Sequence, residues 1–400
     1  MTIREATHAG SWYTDNPTEL DRELQRWLNS VPGTVAEIEP SGQQTTVPVP
    51  GAVRAIIGPH AGYSYSGSNA AFAYKCIDTT AIRRVFLLGP SHHVYLSNKC
   101  ALSKCTKYAT PLGNIRVNLE IVDRLRGSGR WHTMRKDVDE EEHSLEMHLP
   151  YIYKTFERKI NQISLVPIMV GGLNFEAEQY YGEILAPYLA DPENLFVISS
   201  DFCHWGSRFR YTYYREQGPA DSVARPVNLK AHGSRPAGTP IWESIERLDR
   251  DGMETVAQMD HEGFRRYLDA TQNTICGRHP IGVLLAAVNK LYPAAEGPED
   301  GENPRLRFVK YDQSSKVLTV TPTSPSAERP ASSATARIDG LTSAEREEMV
   351  NEAEWGFRTW LRESGPQMGY VLYPSTRQIL KSLQTLYTTL DGVDFSDIAL

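Results

Sequence analysis

The stretch that decides the fold is Val85-Phe-Leu-Leu-Gly-Pro-Ser-His-His93. Its apolar residues are followed directly by a Gly-Pro pair and then by two histidines. A short apolar run that ends at such breakers predicts a fully buried strand of a parallel sheet. In open α/β sheets, ligands bind beyond the carboxyl ends of these strands. His92 and His93 therefore occupy the part of the predicted strand where a site is expected.

Two further stretches repeat this pattern. Ala55-Ile-Ile-Gly-Pro-His60 is an apolar run closed by Gly-Pro and a histidine, and Leu195-Phe-Val-Ile-Ser-Ser-Asp-Phe-Cys-His204 also leads from an apolar run to a histidine. Helical patterns separate the strands, which favours parallel βαβ connections. The chain is therefore predicted to form a three-layer α/β sandwich, with a central, mostly parallel sheet and helices on both faces. The three histidines are expected at one edge of that sheet.

Composition limits the classes of partner and cofactor. The 400 residues carry a formal net charge of −7, which argues against nucleic acid or an anionic membrane as the main partner. No apolar run is long enough to span a bilayer, and Met1-Thr-Ile-Arg-Glu5 does not resemble a signal peptide. Five cysteines without framework spacing favour a reducing compartment, so we expect a soluble cytoplasmic protein. No phosphate-binding glycine loop supports a nucleotide cofactor.

The predicted domain organisation begins with one large α/β domain over residues 1–320. Two stretches within it, 33–50 and 218–240, are rich in loop-forming residues and are interpreted as surface insertions.

The remaining chain is predicted to be an appendage. Residues 321–341 are rich in Pro, Ser and Ala, which is typical of a disordered linker. Residues 342–400 carry two amphipathic helical patterns and are predicted to form a helical extension. These helices cannot bury their apolar faces alone, so they would dock on the core or on a partner. We also expect that deleting residues 325–400 leaves the core folded.

His60 and His92 are the strongest candidates for a functional pair. An imidazole at the end of a rigid strand is positioned without the entropy cost of a mobile loop, which suits a metal ligand or a catalytic group. The alternative is that each histidine caps a helix or binds a nearby carbonyl group. His93 follows His92 directly, so its side chain is expected to point elsewhere and to support the site or the structure.

Asp201 and His204 form a second candidate pair. A general base that is oriented by a neighbour needs an imidazole and a carboxylate close to it, so both residues are catalytic candidates. Alternatively, Asp201 is a buried residue that caps the next helix, and Cys203 between them is a small core side chain.

His143 and Cys276 are further candidates. His143 and His148 are five residues apart, so they do not share a helix face and do not match a zinc-protease motif. His143 is predicted to line a pocket. Cys276 lies close to Arg278 and to a predicted helix start, which would lower its pKa and make it a better ligand or nucleophile. The alternative for Cys276 is an ordinary core position.

Six motifs together resemble the Memo family, the mediators of ErbB2-driven cell motility. The motifs are Arg4-Glu-Ala-Thr-His-Ala-Gly-Ser-Trp-Tyr, Pro59-His-Ala-Gly-Tyr, Leu88-Gly-Pro-Ser-His-His, Glu142-His-Ser-Leu-Glu-Met-His-Leu-Pro, Ser199-Ser-Asp-Phe-Cys-His-Trp-Gly and Ile275-Cys-Gly-Arg-His-Pro-Ile-Gly-Val-Leu-Leu. The resemblance extends from about residue 4 to residue 315.

The resemblance implies a fold similar to that of class III non-haem iron extradiol dioxygenases of the LigB type. It also implies a metal site at His60, His92 and Cys276, with His204 beside it as the counterpart of a catalytic base. Iron and copper binding are associated with the family, as is recognition of phosphotyrosine peptides from receptor tails. In the dioxygenases a carboxylate completes the iron site. Cys276 in its place favours softer metals such as Cu(I) or Zn.

Three functions follow as expectations. The first is a Memo-like protein with iron or copper redox chemistry or metal handling, which also takes part in signalling to cell motility. The second is a metal-dependent dioxygenase that acts on a small aromatic substrate. The third is a non-enzymatic adaptor for a phosphotyrosine peptide or a signalling protein, with Arg278 as the partner of the phosphate. The sequence leaves open whether the protein is an enzyme.

Overall fold

The structure is a computed structural model that describes residues 2–36, 46–216, 225–230, 236–293, 305–320 and 367–373. The predicted linker at 321–341 lies outside the described residues, as do the two helices predicted within 342–400. No helix among the described residues is long and apolar enough to cross a membrane.

Ten α-helices are described. They are α1 (Pro17–Ser30), α2 (Tyr63–Lys75), α3 (Leu119–Gly127), α4 (Lys136–Glu141), α5 (His143–Glu146), α6 (Leu149–Thr155), α7 (Phe175–Ala190), α8 (Ile241–Ala257), α9 (His261–Thr271) and α10 (Arg278–Leu291). Five of them begin at a side chain that accepts hydrogen bonds from the first helical turn, including Glu142 before α5, and the other four have the Asn or Asp expected of good N-caps. These four caps are Asn16, Asn118, Asn174 and Asp260.

Fifteen β-strands are described. They are β1 (Ile3–Arg4), β2 (Thr34–Ala36), β3 (Thr46–Pro48), β4 (Ala55–Gly58), β5 (Arg84–Pro90), β6 (Cys100–Leu102), β7 (Lys107–Thr110), β8 (Gly113–Arg116), β9 (Trp131–Thr133), β10 (Ser164–Val170), β11 (Asn194–Ser199), β12 (Tyr213–Tyr214), β13 (Val227–Asn228), β14 (Arg305–Asp312) and β15 (Gln367–Tyr373).

Eight strands form the central sheet in the order β14-β15-β4-β11-β5-β10-β6-β9. The four strands in the middle, β4, β11, β5 and β10, all run parallel to their neighbours within this group. Every residue of β4, β10 and β11 is buried, which explains why these strands read as continuous apolar runs in the sequence. The predicted mostly parallel sheet is confirmed.

Helices cover this sheet on its two faces. Helices α7 and α10 pack on each other and against β11, while α2 packs on β4 and β15 and also contacts α1 and α6. The predicted three-layer α/β sandwich is therefore confirmed. Because β4, β11 and β5 are adjacent and parallel, the segments that follow their carboxyl ends meet at one edge of the sheet.

The last described strand corrects the prediction for the end of the chain. β15 lies within 342–400, where only a helical extension was predicted, and it pairs antiparallel with both β14 and β4. Sequence reasoning missed it because its sheet partner β14 is separated from it by a long stretch of chain. A deletion of 325–400 would remove a strand that lies between β14 and β4, and this pairing argues against the prediction that the core stays folded without these residues.

The stretches interpreted as insertions contain short paired strands where they are described. β2 and β3 form an antiparallel pair within 33–50. In 218–240, β13 pairs with β12, which precedes that stretch.

Candidate metal centre

The ends of β4 and β5 place two imidazoles side by side. His60 follows β4 after one proline, and His92 follows β5 after one serine. Their ring centroids are 5.2 Å apart, and 2% of His60 and 4% of His92 is exposed. The predicted meeting of strand ends therefore brings this pair together in a buried environment.

Cys276 reaches the same place from the connection between α9 and α10. Its Sγ lies 3.0 Å from Nε2 of His60, and it also accepts a hydrogen bond from the backbone N–H of Asp201 at 3.2 Å. The ligand atoms of His60, His92 and Cys276 all lie within 4.8 Å of one another. The three residues that the family resemblance implies as ligands thus form one cluster in the structure.

Gly277 allows this close approach. A Cβ at this position would lie 2.2 Å from Cβ of Ser200 and 2.4 Å from the carbonyl oxygen of Ser199. The connection before α10 therefore packs directly on the residues that follow β11, and this contact fixes the position of Cys276 relative to the sheet.

Hydrogen bonds fix the tautomer of His60. Ser199 Oγ donates its only proton to the carbonyl oxygen of Ser144 at 2.8 Å, so it acts as an acceptor toward Nδ1 of His60 at 2.6 Å. Nδ1 of His60 consequently carries the ring proton, and Nε2, which faces Cys276, keeps its lone pair.

Glu142 fixes His92 in the same way. One carboxylate oxygen accepts a hydrogen bond from Nδ1 of His92 at 2.8 Å, and the other accepts from its backbone N–H at 2.7 Å. Although burial opposes its ionisation, the His92 imidazole holds the pKa of Glu142 well below its usual range. A histidine that binds a metal usually donates one ring N–H to such a carboxylate and keeps the lone pair of its other ring nitrogen for the metal.

Burial favours the neutral forms of Cys276 and His60. Burial raises the pKa of the Cys276 thiol well above its usual range, with Asp201 acting in the same direction, so the lowering predicted from Arg278 and the helix start is outweighed. Burial also lowers the pKa of His60 well below its usual range, helped by the imidazoles around it. A metal ion that binds the sulfur therefore has to displace a proton, because the thiolate is the ligand.

His204 and Asp201, the predicted catalytic pair, lie in the segment after β11. Nδ1 of His204 donates to the carbonyl oxygen of Thr274 at 3.1 Å, so its Nε2 also keeps a lone pair, and burial lowers its pKa to about 4. Oδ1 of Asp201 accepts from the backbone N–H of His60 at 3.0 Å, and Oδ2 of the same carboxylate lies 3.9 Å from Nε2 of His60. Asp201 thus contacts the candidate ligand His60.

Three predicted supporting residues surround the cluster. The ring of His143 stacks on that of His92 with centroids 4.3 Å apart, and His93 meets His143 edge to face at 5.9 Å. Burial and the His92 imidazole lower the pKa of His143 well below its usual range. Arg278 donates to the carbonyl oxygen of Ile275 at 3.3 Å, and its charge favours the thiolate of Cys276.

The N-terminal segment contributes residues that the sequence analysis did not select. His8 donates through Nδ1 to Glu146 at 2.8 Å, and Arg4 and the Tyr13 hydroxyl bind the same carboxylate at 2.5 Å and 2.9 Å. Trp12 stacks on His143 with centroids 4.5 Å apart. The motif Arg4-Glu-Ala-Thr-His-Ala-Gly-Ser-Trp-Tyr was visible, but nothing local to it indicated contact with α5.

The fold and these contacts define an α/β sandwich protein with a buried cluster of histidine and cysteine at the carboxyl ends of its parallel strands. Residues 4–328 match the family described as Memo-like protein. The chain is 45% identical over 317 residues to Protein MEMO1 of Homo sapiens, which covers 79% of this chain and 92% of the relative. It is 40% identical over 314 residues to the memo-1 homolog of Caenorhabditis elegans, which covers 78% of each chain. This chain belongs to the Memo family.

Proposed function

We propose that this chain is a metal-binding protein of the Memo family, with the centre at His60, His92 and Cys276. The observation that carries the proposal is the donor set. Serine and glutamate acceptors place the ring protons of both histidines on Nδ1, and Sγ of the cysteine lies 3.0 Å from Nε2 of His60. Preset nitrogen lone pairs beside a buried sulfur suit a transition-metal ion.

A second group of residues could also hold a metal ion, because the ligand atoms of His92, Glu142 and His143 lie within 4.8 Å of one another. We assign Glu142 an orienting role instead, because three N–H groups already donate to its two oxygens. The centre is thus assigned one sulfur and two nitrogen donors from three different segments of the chain.

Iron or copper is the proposed metal, with zinc as a redox-silent substitute. A bound iron or copper ion would supply one-electron chemistry, and the thiolate donor favours the softer ions among these. Around the ion, His204 is proposed to hold or accept a proton at Nε2, since Thr274 occupies its Nδ1. Asp201 is proposed to position His60 through its backbone N–H.

The donor set favours this proposal over its alternatives. A dioxygenase that acts on a small aromatic substrate would need a carboxylate as a metal ligand. The candidates Glu142 and Asp201 instead accept hydrogen bonds from the proposed ligands His92 and His60. A phosphotyrosine adaptor would need a cation for the phosphate, and Arg278 is engaged with the backbone of Ile275. We propose a cytoplasmic location because all five cysteines are buried free thiols, and a role in signalling by analogy with the family.

Anaerobic reconstitution tests the proposal. Metal-free protein is loaded with Fe(II), Cu(I) or Zn(II), and bound metal is measured after gel filtration for the wild type, His92→Ala and Cys276→Ala. The exposed His132 provides a control variant, His132→Gln. We expect one tightly bound ion in the wild type and the control, and its loss in both ligand variants. Absence of stoichiometric metal in the wild type would refute the proposal.

A further inference from the structure

A buried carboxyl group on α8 lies behind the candidate base. Asp249 is fully buried, and its Oδ1 accepts hydrogen bonds from the backbone N–H of Cys203 at 3.3 Å and from Nδ2 of Asn273 at 3.1 Å. Its Oδ2 accepts a hydrogen bond from the hydroxyl of Tyr311 at 3.2 Å. This carboxyl group therefore joins α8 to the segment after β11, to the α9–α10 connection and to β14.

Three hydrogen bonds join His204 to Thr274. The backbone N–H of His204 donates to Thr274 Oγ1 at 2.7 Å, and this hydroxyl donates in turn to the carbonyl oxygen of His204 at 2.8 Å. The His204 ring donates through Nδ1 to the carbonyl oxygen of Thr274 at 3.1 Å. Cys203 directly precedes the first member of this pair, and Asn273 directly precedes the second. Asp249 therefore holds the chain immediately before each member of the pair.

Asn273 is also held from a second direction. Its Nδ2 donates to the hydroxyl of Tyr267 at 2.7 Å, and this hydroxyl donates to the carbonyl oxygen of Leu248 at 2.8 Å. A Cβ on Gly252 would lie 2.7 Å from the ring of Tyr267, so α8 and α9 pack closely at this point. Both hydrogens of the Asn273 amide are thus engaged, one by Asp249 and the other by Tyr267, and the amide is a rigid link.

The surroundings of Asp249 are unusual for a core position. Among the described residues, no arginine, lysine or histidine forms an ion pair with it, and Arg250 on the same helix pairs with Glu246 at 2.6 Å. Burial raises the pKa of Asp249 to about 7, and the negative charge of Glu246 acts in the same direction. A buried carboxyl group without a cation is costly, and such groups are concentrated at functional sites.

We infer that Asp249 is the positioning residue of His204. Its Oδ1 holds the two chain segments together, so that the His204 ring stays hydrogen-bonded to Thr274 and keeps its proton on Nδ1. The hydrogen bond at one ring nitrogen of a histidine sets which nitrogen carries the proton, and it thereby leaves Nε2 with its lone pair. Nε2 is the atom at which the proposed function assigns His204 a proton, and the inference rests on the proposed function in this respect.

The two contacts at Oδ1 do not require a negative charge. If Asp249 takes up a proton on Oδ2, it donates this proton to the oxygen of Tyr311, and Oδ1 still accepts both of its hydrogen bonds. An asparagine offers the same pattern, because its amide oxygen accepts and its NH₂ group donates to Tyr311. An alanine offers no acceptor. Asp249→Asn and Asp249→Ala are therefore a matched pair of variants that differ in the contacts at Oδ1.

Nitrogen-15 NMR of the histidine side chains tests the inference on full-length, metal-free protein. The His204 signals are identified by their loss in His204→Gln. In the wild type we expect the well-separated nitrogen signals of a single tautomer with Nδ1 protonated. Asp249→Ala should populate both tautomers, so that the two signals move toward each other, whereas Asp249→Asn should retain the wild-type signals.

Two controls separate positioning from other effects of the carboxyl group. Tyr311→Phe removes a buried hydrogen bond to Asp249 and leaves both contacts at Oδ1, so it should retain the wild-type signals even though it weakens the fold. The wild-type signals should also be the same above and below pH 7. Burial holds the pKa of His204 itself at about 4, and Oδ1 accepts in both protonation states of Asp249.

The wild-type tautomer in Asp249→Ala would overturn the inference. Loss of that tautomer in Asp249→Asn or Tyr311→Phe, or a change of tautomer in the wild type across pH 7, would also overturn it. If Asp249→Ala does not fold, Asn273→Ala removes the contact to the α9–α10 connection and should move the His204 signals in the same way; unmoved signals there would refute the inference. Because no metal is used, failure of the metal reconstitution refutes the proposed function without changing this result.

Discussion

Glu142→Gln isolates the residue that presents His92 to a metal. Glu142 is fully buried, and its carboxylate accepts hydrogen bonds from Nδ1 of His92, from the backbone N–H of His92 and from the backbone N–H of Ser144. All three partners are donors. An amide oxygen replaces only one of the two acceptor oxygens, so the new NH₂ group has to face at least one N–H.

The expected cost has two parts. An unsatisfied buried donor costs about 1–3 kcal/mol of folding free energy. If the NH₂ group faces Nδ1 of His92, that ring relieves the conflict by moving its proton to Nε2, which removes the lone pair needed for the metal. Loss of an orienting partner typically lowers metal affinity by about 10- to 100-fold. This range corresponds to about 1.4–2.8 kcal/mol.

The assay is competition with a chromophoric chelator under anaerobic conditions at pH 7, accompanied by urea unfolding of the metal-free protein. Glu120→Gln is the matched control, because this glutamate lies on α3 with 82% of its side chain exposed. Affinity of Glu142→Gln equal to that of the control would show that Glu142 does not orient a ligand, and would refute the reasoning.

Three further predictions address the site, the pH dependence and the sheet. Gly277→Ala should weaken both folding and metal binding, because the added Cβ would lie 2.2 Å from Cβ of Ser200. Gly127→Ala has open space at its Cβ and should weaken neither. Thermal unfolding measures the stability of the two variants, and chelator competition measures their metal affinity. Glu146 has a pKa of about 2 against a usual 4.5, so its contribution to stability, about 3 kcal/mol, is present above pH 4.5 and is lost as the pH falls toward 2. The difference in unfolding free energy between wild type and Glu146→Gln should therefore shrink over this interval, and a constant difference would contradict it. Truncation after residue 320 should lower the melting temperature markedly, because it removes the strand between β14 and β4; an unchanged melting temperature would show that β15 is dispensable.

The strand ends were predictable because their physical cause is local. A strand buried on both faces has to be apolar throughout, and Gly-Pro ends it, so His60 and His92 could be assigned to the carboxyl edge of the sheet from the sequence. Parallel neighbours then bring such ends together, and the 5.2 Å separation of the two rings is the consequence.

The partners of these residues were not predictable, because they come from distant parts of the chain. The contact between Arg4 and Glu146 spans 142 residues, and that between His60 and Cys276 spans 216. No periodicity encodes such pairs, and only the family resemblance grouped Cys276 with His60 and His92. The strand β15 was missed for the same reason, since a strand that pairs with a partner far away in sequence carries no turn signal that announces it.

The most direct test of the central claim is X-ray absorption spectroscopy of the Zn(II)-loaded, full-length protein. A centre at His60, His92 and Cys276 predicts one sulfur scatterer at about 2.3 Å and imidazole nitrogens at about 2.0–2.1 Å. The sulfur shell should disappear in Cys276→Ser while the imidazole signal remains. A first shell of oxygen and nitrogen alone in the wild type would contradict the account.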